Sequence, residues 1–163
     1  MGKQDEWIEK DLKYVWHPDT QMKEYENSEP ILIEKGKGID VWDNKGNKYI
    51  DAVASWWVNT LGHSNERLNR ALFEQAGKIE HILLAGFTHK PAIELAQRLV
   101  ELAGEPFSKV FYSDNGSTAV EVALKMAYQY WYQSGRPEKK KFVAMTDSYH
   151  GDTLGSVSVG GIA

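Results

Sequence analysis

The chain contains no cysteine, which excludes a disulfide framework and a thiolate metal site. No apolar run approaches the roughly 20 residues that cross a bilayer. Met1 to Asp11 is polar and charged and lacks the apolar stretch of a secretion signal. Neither a P-loop nor a G-x-G-x-x-G element occurs, so a nucleoside triphosphate or dinucleotide finds little support. Repeats and low-complexity tracts are absent. Basic residues are in the minority: 19 Lys and Arg stand against 23 Asp and Glu, a formal net charge of −4. That argues against a nucleic-acid or anionic-membrane partner. The short Lys139-Lys140-Lys141 run reads as a solvated loop before a strand. His17, His63, His81 and His89 show neither the i, i+4 pairing nor the carboxylate spacing of a metal site and read as structural. These exclusions leave room for a cytoplasmic enzyme.

What is present is ordinary in bulk. Hydrophobic residues make up 42% and charged residues 26% of 163, enough for one domain or one and a fraction. Aromatics are abundant, with six Trp and eight Tyr, and they suit cores, interfaces and flat-ligand pockets alike. The first segment reads as irregular, punctuated by Pro18 and Pro30. Ile31–Ile33, Ile39–Trp42 and Lys48–Asp51 read as short strands, with turn chemistry at Asp43-Asn44-Lys45-Gly46-Asn47. Leu68, Ala71, Leu72, Ala76 and Ile79 make a helical stripe, with Ser64 or Asn65 as its cap. Pro91 opens a second helix that Gly104 closes. Lys109–Ser113 and Lys141–Met145 read as strands around a helix from about Ser117 to Gln133. This is a βαβ unit, and it implies α/β architecture with a parallel sheet. One such unit without a covering second half is an incomplete sheet.

Three constellations carry chemistry. Ser113-Asp114-Asn115-Gly116-Ser117-Thr118 lies between a strand and a helix. Helix starts hold unpaired N–H groups and partial positive charge, so an anion such as phosphate fits there. A plain N-cap, with Thr118 and Glu121 as a capping box, explains the same residues. In Ser55-Trp56-Trp57, read as strand, successive side chains face opposite ways, so one indole can be core and the other line a cavity; two core aromatics is the alternative. Tyr149-His150-Gly151-Asp152-Thr153 follows a strand, where open α/β sheets place ligands. Tyr149 is placed to stack on a planar ring and His150 to act in acid–base chemistry, or both are loop and packing residues.

These elements, with Trp16-His17-Pro18, Gly86-Phe87-Thr88-His89-Lys90-Pro91-Ala92 and the run from Asp114 to Ala127, occur in an order that resembles the class III pyridoxal-phosphate aminotransferases. The Trp-His-Pro and Ser-Trp-Trp elements resemble the branch of biotin synthesis. The likeness extends over nearly the whole chain from Lys13. It implies a fold-type I homodimer with its active site at the subunit interface, residues 1–62 contributing to the small domain and 63–163 beginning the large, cofactor-binding one. It implies that Gly116 and Ser117 hold the phosphate of pyridoxal 5'-phosphate, that Tyr149 stacks on its ring, and that Trp56 and Tyr149 line the substrate pocket. The reaction implied converts 8-amino-7-oxononanoate to 7,8-diaminononanoate, with S-adenosylmethionine or lysine as amino donor. No lysine of this chain sits in the family's cofactor-holding motif, so no catalytic residue is named, and the chain alone is expected to be inactive. Asp19 stands where S-adenosylmethionine-dependent relatives carry Tyr near the substrate, which opens the choice of donor. Another class III ω-aminotransferase and a non-catalytic dimerisation module are the alternatives.

Overall fold

The computed structural model describes residues 3–161. Two units divide after Ile82. The first begins with helix α1, Lys3–Tyr14, where the sequence pattern suggested irregular chain. An i, i+4 Glu6–Lys10 pair at 2.6 Å and Lys13 in the last turn favour it locally. His17 fastens the chain beyond it: Nε2 meets Asp11 Oδ2 at 2.7 Å, and Tyr25 packs edge-on at 4.9 Å.

The sheet is an antiparallel meander of β1 (Ile33–Lys37), β2 (Asp40–Asp43) and β3 (Lys48–Ile50). Its β2–β3 turn is organised by one carboxylate. Asp43 accepts from the Lys45 and Asn47 N–H groups at 2.9 and 2.8 Å, from the Asn47 amide at 2.8 Å and from the Tyr49 hydroxyl at 2.9 Å. These donors hold its acid constant below the usual carboxylate range against the desolvation that raises it. Helix α2, Glu66–Ala76, closes the unit. Its cap is Asn65, whose side chain accepts from the N–H groups of Arg67 and Leu68.

The second unit holds three helices. In α3, Lys90–Ala103, Pro91 sits in the first turn, the imidazole of His89 accepts from the Ala92 N–H, and Gly104 ends the helix at φ +69°. Helix α4 spans Gly116–Gln133, and α5, Leu154–Ser158, is a single turn packed on α4. The expected parallel sheet is not formed among the described residues. The runs 109–113 and 141–145 carry no ladder. Aromatic and β-branched residues favour extended backbone, yet a strand also needs a neighbour to bond. These two runs do not pair with each other, and Phe111, Val143 and Met145 stand 64%, 100% and 80% exposed. The Tyr112 hydroxyl ties the first run to the Ala92 carbonyl of α3. Among the described residues no apolar side chain is fully buried, so the apolar stripes of the helices are formed but only partly covered, as at Val120, Leu124 and Trp131 of α4.

Candidate active site

Ser113 to Ser117 brings the chain from the run 109–113 into α4, through an extended Asn115. Asn115 caps the helix. Its side-chain oxygen accepts from the Thr118 N–H at 2.9 Å, and the Thr118 hydroxyl oxygen accepts from the Asn115 N–H at 3.3 Å. The box is therefore Asn115 with Thr118. The Thr118–Glu121 pairing suggested by the sequence is not used, because Thr118 already lies inside the helix. The Thr118 hydroxyl also reaches Asp114 Oδ1 at 2.6 Å, and that bond leads the causes lowering the Asp114 acid constant.

With the cap committed to Thr118, the N–H groups of Gly116 and Ser117 have no acceptor among the described residues. A side chain at Gly116 would meet nothing within 4 Å, so the helix start is uncrowded at that residue. An 18-residue helix adds its dipole behind them. The residues present thus fit a phosphate group.

The Tyr149–Thr153 loop is fastened to the same helix start. The Ser117 hydroxyl oxygen accepts from the Thr153 N–H at 3.2 Å, which leaves its proton available for a further acceptor. Ser156, fully buried, donates to the Ser117 carbonyl at 2.9 Å. Glu121 Oε1 accepts from the Gly155 N–H at 2.6 Å. Gly151 passes so close that a Cβ there would lie 1.9 Å from Ser117 Oγ, and its φ is +116°. The loop therefore seats Gly151 and Thr153 against Ser117, with Tyr149 two residues before Gly151. Tyr149 is 64% exposed, its hydroxyl donating to Asp152 at 2.6 Å. The anchoring by Glu121, Thr153 and Ser156 was not read from the sequence. Glu121 lies one turn beyond Ser117 on the same helix face, and that spacing was the available signal.

Trp56 and Asp19 belong to the first unit. Ser55-Trp56-Trp57 is not strand. Ala54–Trp57 is one turn of left-handed helix, with φ of +50°, +48°, +63° and +67° at four successive non-glycine residues. Each such residue costs about 1–2 kcal/mol relative to right-handed helix. The up–down alternation used to separate the indoles does not apply, and both are exposed, Trp56 at 60% and Trp57 at 71%. Asp51, at the end of β3, holds this turn. Its carboxylate accepts from the Ser55 N–H and hydroxyl at 2.9 and 2.6 Å and from His63 Nε2 at 2.7 Å. The Ser55 bonds, and then His63, depress its acid constant to about 2. Asp19 is exposed at a turn with φ +50°.

Residues 21–162 match the sequence pattern described as aminotransferase class-III. The chain belongs to the class III aminotransferases. Adenosylmethionine-8-amino-7-oxononanoate aminotransferase of Geobacter sulfurreducens is 53% identical over 93% of this chain and 34% of its own length. The crystal structure of the enzyme of that name from Methanocaldococcus jannaschii superposes with a TM-score of 0.93 at 46% identity, covering 98% of this chain and 36% of that one. The ω-transaminase of Pseudomonas jessenii in complex with PMP gives 0.88 at 40% identity, over 95% and 34%. The chain thus spans about a third of the length of these relatives. Its fold class is the α/β, fold-type I arrangement of class III transaminases, present in part. Enzymes of this class depend on pyridoxal phosphate.

Proposed function

We propose that the protein transfers an amino group onto 8-amino-7-oxononanoate, giving 7,8-diaminononanoate for biotin synthesis, as a pyridoxal-phosphate-dependent homodimer in the cytoplasm. The observation that carries this reading is the open start of α4, where two unpaired N–H groups, the Ser117 hydroxyl and the Tyr149 loop converge. Gly116 and Ser117 hold the phosphate, and Tyr149 covers the ring. When bound, the cofactor supplies the electron sink through which amino groups pass. Glu121 and Ser156 keep the loop in register with the helix. Trp56 borders the substrate, and Asp19 stands near the donor, which is S-adenosylmethionine or lysine. Residues 1–62 belong to the small domain and 63–163 to the large one. The solved ω-transaminase favours a second reading, a class III ω-aminotransferase acting on another amine.

The test uses the full-length protein. Turnover of 8-amino-7-oxononanoate is assayed with each donor separately, beside a panel of ω-amines. Preference for an ω-amine sinks the first reading, and turnover with one donor alone identifies it. Ser117→Ala removes a hydrogen bond to a charged group, worth roughly 1.5–3 kcal/mol. Cofactor affinity should fall about tenfold or more, whereas unchanged affinity would reduce Ser117 to a loop anchor.

A further inference from the structure

We propose that Asp51 is a positioning residue: clamped by His63, its carboxylate holds the left-handed Ala54–Trp57 turn and thereby sets the direction of both indoles. The geometry has three independent parts. First, the turn is a conformation that four L-residues do not adopt unaided. Its main-chain bonds are those of a single turn: Trp57 N–H donates to the Val53 carbonyl at 2.8 Å, and the N–H groups of Val58 and Asn59 donate to that of Ala54, the latter at 2.9 Å. Both donors to Asp51 from within the turn come from Ser55, so the carboxylate grips its second residue by main chain and side chain together.

Second, Asp51 is itself fixed from the other side. Its N–H donates to the Ile39 carbonyl at 2.8 Å. A carboxylate only accepts, so His63 Nε2 is the donor in their 2.7 Å contact. His63 is held by a two-bond bridge to Gly38, at 2.8 and 3.0 Å.

Third, the sheet makes room for this imidazole. A Cβ on Gly36 of β1 would lie 2.7 Å from His63 Cγ. In a unit whose two turn indoles stand mostly in solvent, the side chains of Asp51 and His63 are only 14% and 18% exposed. This enclosed carboxylate–imidazole pair thus serves the shape of an exposed turn. A turn of that cost needs a use, and the side chains it displays are Trp56 and Trp57. That these indoles meet substrate rests on the function proposed above; the clamp itself rests on geometry alone.

The test compares Asp51→Asn, Ser55→Ala, His63→Leu and His63→Gln with wild type in the full-length protein. Near-UV circular dichroism of the indoles, melting temperature, cofactor affinity and the KM and kcat for 8-amino-7-oxononanoate are measured. Asp51→Asn and His63→Leu should change the indole signal and raise KM about tenfold or more, with cofactor affinity within about twofold. Ser55→Ala should do so less. His63→Gln, whose amide can still donate, should recover most of both. An unchanged indole signal in folded Asp51→Asn and His63→Leu overturns the clamp. A lowered melting temperature with unchanged KM and signal makes the network a fold staple and overturns it equally. If wild type does not turn over the oxononanoate, the functional reading fails while the indole signal still decides the clamp.

Discussion

At the residue scale, Asp51 has a pH signature. Its folded acid constant, about 2, lies below the ordinary 3.8 because Ser55 and His63 bond to the charged form. A depressed carboxylate stabilises the fold fully above its unfolded value and loses that contribution as pH falls through the folded one. The stabilisation should therefore be intact above about pH 4 and fade toward pH 2. His63 faces the carboxylate directly, and Glu34 and Lys35 of β1 border the same hollow. Urea midpoints of wild type and Asp51→Asn, followed from pH 6 to pH 2, should differ at neutral pH and converge on acidification. Parallel curves would show that the charge on Asp51 does not matter to stability. None of this was legible in the sequence. Asp51 and His63 are twelve positions apart with no motif joining them. The caps were more accessible: Asn65, Pro91 and Gly104 act locally and stand where their chemistry requires.

At the scale of elements, local periodicity placed the three longer helices after residue 60 and the second and third strands of the meander, while the first strand lies at Ile33–Lys37 and shares only Ile33 with the run expected at 31–33. It failed where an element depends on something outside itself. The runs 109–113 and 141–145 did not become strands for want of a pairing neighbour. The Ser55-Trp56-Trp57 pattern looked like strand because indoles favour extended backbone, while the carboxylate of Asp51, four residues before Ser55, holds a left-handed turn. The Tyr149–Thr153 loop was located without its reason for being still, which is its attachment to α4. A pair of glycine variants tests that attachment. Gly151→Ala forces a methyl to 1.9 Å from Ser117 Oγ at a φ of +116°. Such strain costs on the order of 1–3 kcal/mol, so the melting temperature of the full-length protein should drop and cofactor affinity fall about tenfold. Gly116→Ala meets nothing within 4 Å and removes a poor helix former. It should leave melting unchanged or slightly raised, with any loss confined to cofactor affinity. Equal melting temperatures for the two variants would mean the loop is not seated on Ser117.

At the scale of the whole molecule, the decisive feature is the absence of a buried apolar side chain among the described residues. Helices with well-formed apolar stripes normally bury them, and burial is the main source of stability. Here Leu72, Leu102 and Leu154 stand 69%, 85% and 93% exposed, beside the unladdered Val143. Apolar faces and unpaired extended backbone of this kind promote association. The proposed chemistry also needs a lysine amine to hold the cofactor and shuttle a proton, and no lysine among these residues is assigned that role from the sequence. Residues 1–163, prepared alone, should therefore neither hold pyridoxal phosphate covalently nor transfer amino groups. They should self-associate in a concentration-dependent way, and the phosphate cradle proposed at Gly116 and Ser117 should bind the cofactor only weakly, with Tyr149 as its one proposed aromatic wall and no covalent link. Mixing the purified chain with pyridoxal phosphate tests this by titrating the visible absorbance, assaying amino transfer and following size by sedimentation. A saturable one-to-one visible band with measurable turnover would show that a lysine within these residues serves the reaction, and a monodisperse monomer would show that the exposed stripes find cover within the chain.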